Sequence, residues 1–126
     1  MTPVEWLGSI DFLTDWALLG HVIYPAGHSW VNFAGDDLSI LQQNKTSVAH
    51  ATWVFNRRGI AMESFPGYLD AGVNVCLGTD TCPQSMIEAM RWSAGMIINP
   101  TGSVSIGISM KSAVDISFIT DGYVPV

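Results

Sequence analysis

The sequence predicts an α/β fold built on a short parallel sheet, and two patterns predict it. First, a strand-like apolar run, a loop and an amphipathic helix follow one another three times within the first 95 or so residues. Second, polar residues recur at a near-constant interval along these runs. His21, His50 and Asp80 are 29 and 30 residues apart, close to the roughly 30-residue length of one βαβ step. Residues at one phase of successive parallel strands project to the same end of the sheet. The C-terminal edge of such sheets is where ligands and catalytic groups collect.

Each element has a local reason. Thr2-Pro3-Val4-Glu5 reads as a helix start: Thr2 as N-cap, Pro3 at the first helical position and Glu5 closing a capping box. A first strand is expected from Ala17 to Tyr24, carrying His21 and broken by Pro25-Ala26-Gly27. An aromatic loop with His28, Trp30 and Phe33 follows, with His28 expected to face solvent or bond within the loop. Asp36 or Asp37 caps a second helix that ends at Asn44. The second strand, Ser47 to Ala51, holds His50. Residues 52–60 read as a loop with Trp53, Phe55, Arg57 and Arg58. A third helix is expected over 62–71, with Pro66 early in it and Gly72 as its stop.

The third strand is Val73-Asn74-Val75-Cys76-Leu77, and Gly78-Thr79 leads it out to Asp80. Taken alone, an acid at this point reads as the N-cap of the next helix, as a metal ligand or as a general base. The helix opening at Pro83 carries Met86, Met90, Ala94 and Ile97 as one apolar stripe and stops at Asn99-Pro100. Beyond it, Val104 to Ile119 is rich in Ser, Gly, Ile and Val and reads as short antiparallel strands. This divides the chain into an α/β portion, 1–99, and a β-rich segment, 100–126.

Composition excludes several classes. Net charge is −6 with only five Lys and Arg among 126 residues, which argues against a surface for the nucleic-acid backbone. Two stretches without Asp, Glu, Lys or Arg, residues 16–35 and 92–110, are interrupted by Pro, Gly, His or Asn, and so read as buried segments and not membrane spans. Cys76 and Cys82, six apart, read as reduced thiols, although a disulfide between them is open. With no secretory signal at the start, the expected compartment is the cytoplasm.

Together, Thr2-Pro3-Val4-Glu5-Trp6-Leu7, Leu19-Gly20-His21, Ser47-Val48-Ala49-His50, the run from Ala71 to Asp80 and Met86-Ile87-Glu88-Ala89-Met90-Arg91 resemble the amidohydrolase superfamily. The branch they are most similar to is that of cytosine deaminase and chlorohydrolase-type aminohydrolases. The resemblance implies part of a (β/α)8 barrel, strands six to eight of the family, with 100–126 as a remnant of the adjoining β-sandwich. It implies a hydrolase acting on non-peptide C–N or C–Cl bonds of a small nitrogen heterocycle through a metal-activated water.

In that reading Asp80 is a metal ligand and proton acceptor, and His21 orients or activates the water or binds a second metal. The cofactor is zinc or iron. His50 occupies the position of a seventh-strand histidine. By residue type, Trp53, Phe55, Arg57 and Arg58 read either as the lining of a substrate pocket or as a loop packed on the missing barrel strands. For His21 a backbone-bonded strand-end histidine stands beside the catalytic reading, and for His50 a structural role stands first.

The family's first-strand His-x-His pair and fifth-strand His ligand have no counterpart here. Ala51-Thr52-Trp53-Val54-Phe55-Asn56 replaces its more usual Cys-Pro-x-Ser-Asn. A barrel of about 250 residues therefore requires further strands, from a larger chain of which this is a piece, from a partner or from self-association. A degenerate relative without catalysis, serving as a structural or binding module, is the alternative.

Overall fold

The computed structural model describes residues 1–95 apart from Ala61, Ser64, Cys82 and Pro83, and apart from the side chains of Ala94 and Gly95. The expected β-rich segment, the end of the last helix with Ile97, Asn99 and Pro100, and Cys82 lie outside the described residues.

The elements run α1 (Pro3–Ser9), β1 (Leu18–Gly20), α2 (Asp37–Gln43), β2 (Ser47–His50), α3 (Thr52–Asn56), α4 (Phe65–Asp70), β3 (Val75–Leu77) and α5 (Met86–Gly95). The three strands form one parallel sheet in the order β1-β2-β3. Leu18 pairs with Ser47 and Gly20 with Ala49; Val48 pairs with Val75 and His50 with Leu77.

Register decides which face is buried. Paired residues of parallel strands point the same way, so Leu19, Val48 and Val75 share one face with His50 and Leu77. Val48, Val75 and Leu77 are at most 4% exposed and join Leu41 of α2 and Phe65 and Tyr68 of α4 in the core, against which Met86 and Met90 of α5 pack. On the opposite face Ala49 and Cys76 are only half-buried, and Leu18 is exposed. One side of the sheet is therefore clad in helix and the other is thinly covered.

Local chemistry sets the helix ends. Thr2 Oγ1 accepts from Glu5 N–H at 3.0 Å and Glu5 Oε2 accepts from Thr2 N–H at 2.7 Å, which completes the capping box. Asp36 caps α2 through Ser39 N–H, and Asn44 is its C-cap. Asp37, at the first helical position, is buried and accepts from Thr2 Oγ1 at 2.5 Å and from Ala26 N–H at 2.8 Å.

Three expectations are corrected. The first strand does not reach Tyr24: it ends at Gly20, because His21 and Val22 take positive φ, 69° and 39°. Residues 52–60 are not all loop, since Thr52–Asn56 forms α3. No side chain caps that helix at Ala51; packing holds it, with Val54 buried, Thr52 Oγ1 2.6 Å from Ser93 Oγ of α5, and Trp53 against Trp92. The third helix starts at Phe65 and not Met62, with Pro66 in its first turn where a missing N–H is harmless. Among the loop aromatics Trp30 is exposed, whereas Trp53 and Phe55 are half-buried.

Gly72 ends α4 at φ +76°, its N–H bonded to Leu69 carbonyl at 2.9 Å. A Cβ there would also meet Gln42 Cγ at 3.3 Å. Gly72→Ala is expected to lower unfolding free energy by about 1–2 kcal/mol, from the left-handed conformation. Urea melts check this, and a loss below about 0.5 kcal/mol would remove the stop-signal role.

Candidate functional site

The parallel register carries His21, His50 and Asp80 to one end of the sheet, the C-terminal edge. His21 N–H still bonds Ala49 carbonyl at 2.7 Å, and Gly78 N–H bonds His50 carbonyl at 3.0 Å, so pairing continues one residue past each strand. His21 Nε2 lies 3.9 Å from Asp80 Oδ2, each side chain being about one-third exposed. That separation is too long for a direct hydrogen bond.

The backbone at this edge is unusual. Val22 N–H bonds Gly20 carbonyl at 2.9 Å across His21 at φ 69°, a γ-turn of the strained kind. Val22, a β-branched residue at φ 39°, is harder still to hold. Tyr68 of α4 donates its hydroxyl to Val22 carbonyl and so pins the turn. Burial first, then the Asp37 charge, pushes the Tyr68 phenol above its ordinary range, which keeps it a donor. Asp80 itself sits at φ 55°. Left-handed residues on both sides of one cleft mark a place where geometry is held against local preference.

Phe55 of α3 links the other groups. Its ring meets His21 edge-on at 4.5 Å and stacks on His50 at 6.2 Å, and the Arg58 guanidinium lies over it at 5.9 Å. Arg57 lies over Trp53 at 5.7 Å. Val54, Arg57, Arg58 and Thr81 line a cleft that begins one residue beyond Asp80. Phe55 thus gathers His21, His50 and Arg58 around its ring, and His21 in turn faces Asp80. Asn56 was not singled out by sequence; both its amide atoms are buried without a hydrogen-bond partner among the described residues, as are Trp53 Nε1, His21 Nδ1 and His50 Nδ1.

His28 lies elsewhere and is not solvent-facing: it is buried, and Nδ1 accepts from Trp30 N–H at 3.0 Å with Glu63 Oε2 at 3.7 Å. Hydrogen bonding from Ser29 holds the Glu63 carboxyl below its usual range. Cys76 is a free thiol raised by burial.

Burial, and then the nearby His21, lowers the His50 pKa from 6.5 to about 4. Between these values the unfolded chain takes up a proton that the folded chain refuses, so stability falls as pH drops from about 6.5 to about 4 and is unaffected above that window. The full loss is on the order of 3 kcal/mol. Denaturation midpoints at pH 7 and pH 4.5 should differ accordingly, and the difference should shrink in His50→Gln; an equal difference in both would place the titration elsewhere.

A divalent metal fits these residues only in part. Adjacent ligand atoms on a tetrahedral zinc ion stand roughly 3.3–3.5 Å apart, and His21 Nε2 and Asp80 Oδ2 are somewhat wider. No group of three His, Cys, Asp or Glu among the described residues is arranged to hold a metal, whereas a catalytic zinc takes three protein ligands. These residues supply at most two.

No helix among the described residues is long and apolar enough to cross a membrane. No protein-family model matches the chain, and no solved structure matches it significantly. Curated relatives do. A 5'-deoxyadenosine deaminase of Methanococcoides burtonii is 30% identical over 98 residues, covering 75% of this chain and 21% of the relative. A 5'-deoxyadenosine deaminase of Methanospirillum hungatei is 29% identical over 124 residues, 86% of this chain and 26% of the relative. A 5-methylthioadenosine/S-adenosylhomocysteine deaminase of Clostridium tetani is 29% identical over 94 residues, 71% of this chain and 20% of the relative. The chain spans a fifth to a quarter of the length of these relatives, and across that span it is similar to enzymes named as deaminases.

Proposed function

We infer that this chain forms strands six to eight of a (β/α)8 hydrolase barrel, with sandwich strands in 100–126, and that the complete catalytic unit deaminates a nitrogen heterocycle of the adenosine type. The observation that carries the reading is the meeting of His21 and Asp80 at the C-terminal edge of a parallel sheet. Similarity to deaminases supports the reaction class. The sheet supports the barrel: one face is clad in helix, the other is half-open, and β1 and β3 each pair on one side only among the described residues.

In deamination, water adds to the ring carbon that bears the amino group, the C–N bond breaks and ammonia leaves. Asp80 accepts the proton from the attacking water and returns it to the departing nitrogen. His21, held by its γ-turn on the other side of the 3.9 Å gap, orients that water. Phe55 walls the site from bulk solvent. The expected zinc or iron would need ligands from strands beyond these residues, and the isolated chain is accordingly expected to turn over little or no substrate even with either metal added.

A graft tests the reading. The quarter of the M. hungatei deaminase that this chain matches is exchanged for the chain itself. The chimera is expected to fold and to release ammonia from 5'-deoxyadenosine. A folded chimera that releases none overturns the proposal.

A further inference from the structure

His21 lacks the usual support of a working histidine. Such a ring is oriented by the bond its other nitrogen makes, yet His21 Nδ1 is buried with no hydrogen-bond partner among the described residues. Its direction is left to the backbone beneath it and to Phe55, whose ring stands 4.5 Å away. We propose that Tyr68 is a positioning residue: by holding the Val22 carbonyl, its hydroxyl aims the His21 imidazole at Asp80. This rests on the reading of His21 as the group that orients the attacking water.

The turn works like a crank fixed at both ends. His21 N–H is bonded to Ala49 carbonyl at 2.7 Å and Val22 N–H to Gly20 carbonyl at 2.9 Å. Further on, Ala26 N–H is bonded to Asp37 Oδ2 at 2.8 Å. Between these anchors His21 and Val22 hold φ of 69° and 39°, against the preference of any residue with a Cβ and most of all of a β-branched one. The Tyr68 hydroxyl on Val22 carbonyl opposes the relaxation of that pair. Without it, rotation at Val22 must be taken up by its neighbours because the ends are fixed, and a rotation at His21 swings the imidazole.

Tyr68 is also placed to set one side of the gap against the other. It is 2% exposed and packed within the core, so the hydroxyl stands on a rigid base. Its own carbonyl accepts from Val73 N–H at 2.9 Å, at the entry to the strand that leads out to Asp80. One residue therefore ties, by its backbone, the segment carrying the acid and, by its side chain, the turn carrying the histidine. A shift of about 1 Å between such groups can cost about 10²-fold in rate.

Tyr68→Phe removes the oxygen and keeps the ring. In the full 126-residue chain, isotope-labelled at histidine, the His21 ring signals in the nuclear magnetic resonance spectrum are assigned by their loss in His21→Asn. Tyr68→Phe is expected to move them, because the Phe55 ring beside His21 shields according to position, and to leave those of His28 in place. Val4→Ala, a core change in α1, should move neither. In the graft with the M. hungatei deaminase, Tyr68→Phe is expected to lower kcat about tenfold or more and to leave KM within about twofold. In the His21→Asn graft the same change should cost less than about twofold, since a residue that acts through His21 has nothing left to act on. If Tyr68→Phe does not fold, it is repeated on Val22→Gly: glycine accepts φ 39° but is not held there, so the same movement is expected. Unmoved His21 signals, a loss confined to KM, or an equal loss of kcat with and without His21 would overturn the proposal. A silent graft alongside moved His21 signals would fail the deaminase reading and leave the positioning standing.

Discussion

Asp80→Asn, introduced into the graft with the M. hungatei deaminase, is expected to lower ammonia release by about 10³-fold, mostly in kcat. Positioned general acid–base groups contribute about 10²–10⁴, and Asp80 is assigned both the proton taken from water and the proton given to nitrogen. The substitution is well suited to the question. Asn has the shape of Asp and tolerates the left-handed backbone, here φ 55°, as readily as Asp does. The backbone therefore has no reason to move, and the amide cannot accept the proton. His21→Asn should cost less in kcat, since orientation and not transfer is lost. Circular dichroism and KM for the substrate check that site and fold survive. Turnover of the Asp80→Asn graft within tenfold of the unsubstituted graft would end the role given to Asp80.

The largest effect on stability is expected at Asp37. Its carboxylate takes Thr2 Oγ1–H on one oxygen and Ala26 N–H on the other, and so ties α1, the loop after β1 and α2 together at one buried point. Asp37→Ala would leave the Thr2 hydroxyl and the Ala26 amide without that acceptor, at about 1–3 kcal/mol for each group left buried and unpaired. It would also remove a negative charge from the start of α2. A total loss of about 3–5 kcal/mol is expected, a large share of the roughly 5–15 kcal/mol that holds a domain together. Asp37→Asn, which keeps one acceptor oxygen, should lose about half as much. Urea denaturation of the three proteins decides; a loss below about 1 kcal/mol for Asp37→Ala would show that other contacts hold this junction.

Asp37 also marks the boundary of what the sequence made legible. As a capping residue it was one of two adjacent candidates, and the structure assigns the cap to Asp36 and the tie to Asp37. Nothing local distinguishes them, because the partner at Thr2 is 35 positions away. The same contrast holds elsewhere. The capping box at Thr2 and Glu5, the stop at Gly72 and the parallel order of strands depend on neighbours in sequence or on repeating period, and these were readable. Helix α3 was not: Trp53, Val54 and Phe55 are residues that suit strands as well, and the contact that makes them helical lies on α5. The end of β1 was hidden similarly, since Val22 reads as strand while the Tyr68 hydroxyl holds it in a turn. For the site, spacing alone placed His21, His50 and Asp80 at one edge. Phe55 was readable as an aromatic for the pocket, but its ring contacts with both histidines, and the burial of Asn56, depend on α3 and could not be read before that helix was known.

The strand order β1-β2-β3 follows chain order, and this has a consequence for synthesis on the ribosome. Among the described residues β2 and β3, on emerging, each find a sequence-earlier neighbour already made: Ser47 arrives 29 positions after Leu18, and Val75 arrives 27 after Val48. At about 5–20 residues per second, each addition takes roughly one to six seconds, far longer than loop closure or helix formation. Among the described residues the sheet can thus grow by one strand per interval, each strand docking on the one made before it. His21 is then set beside β2 before Asp80 exists as a peptide.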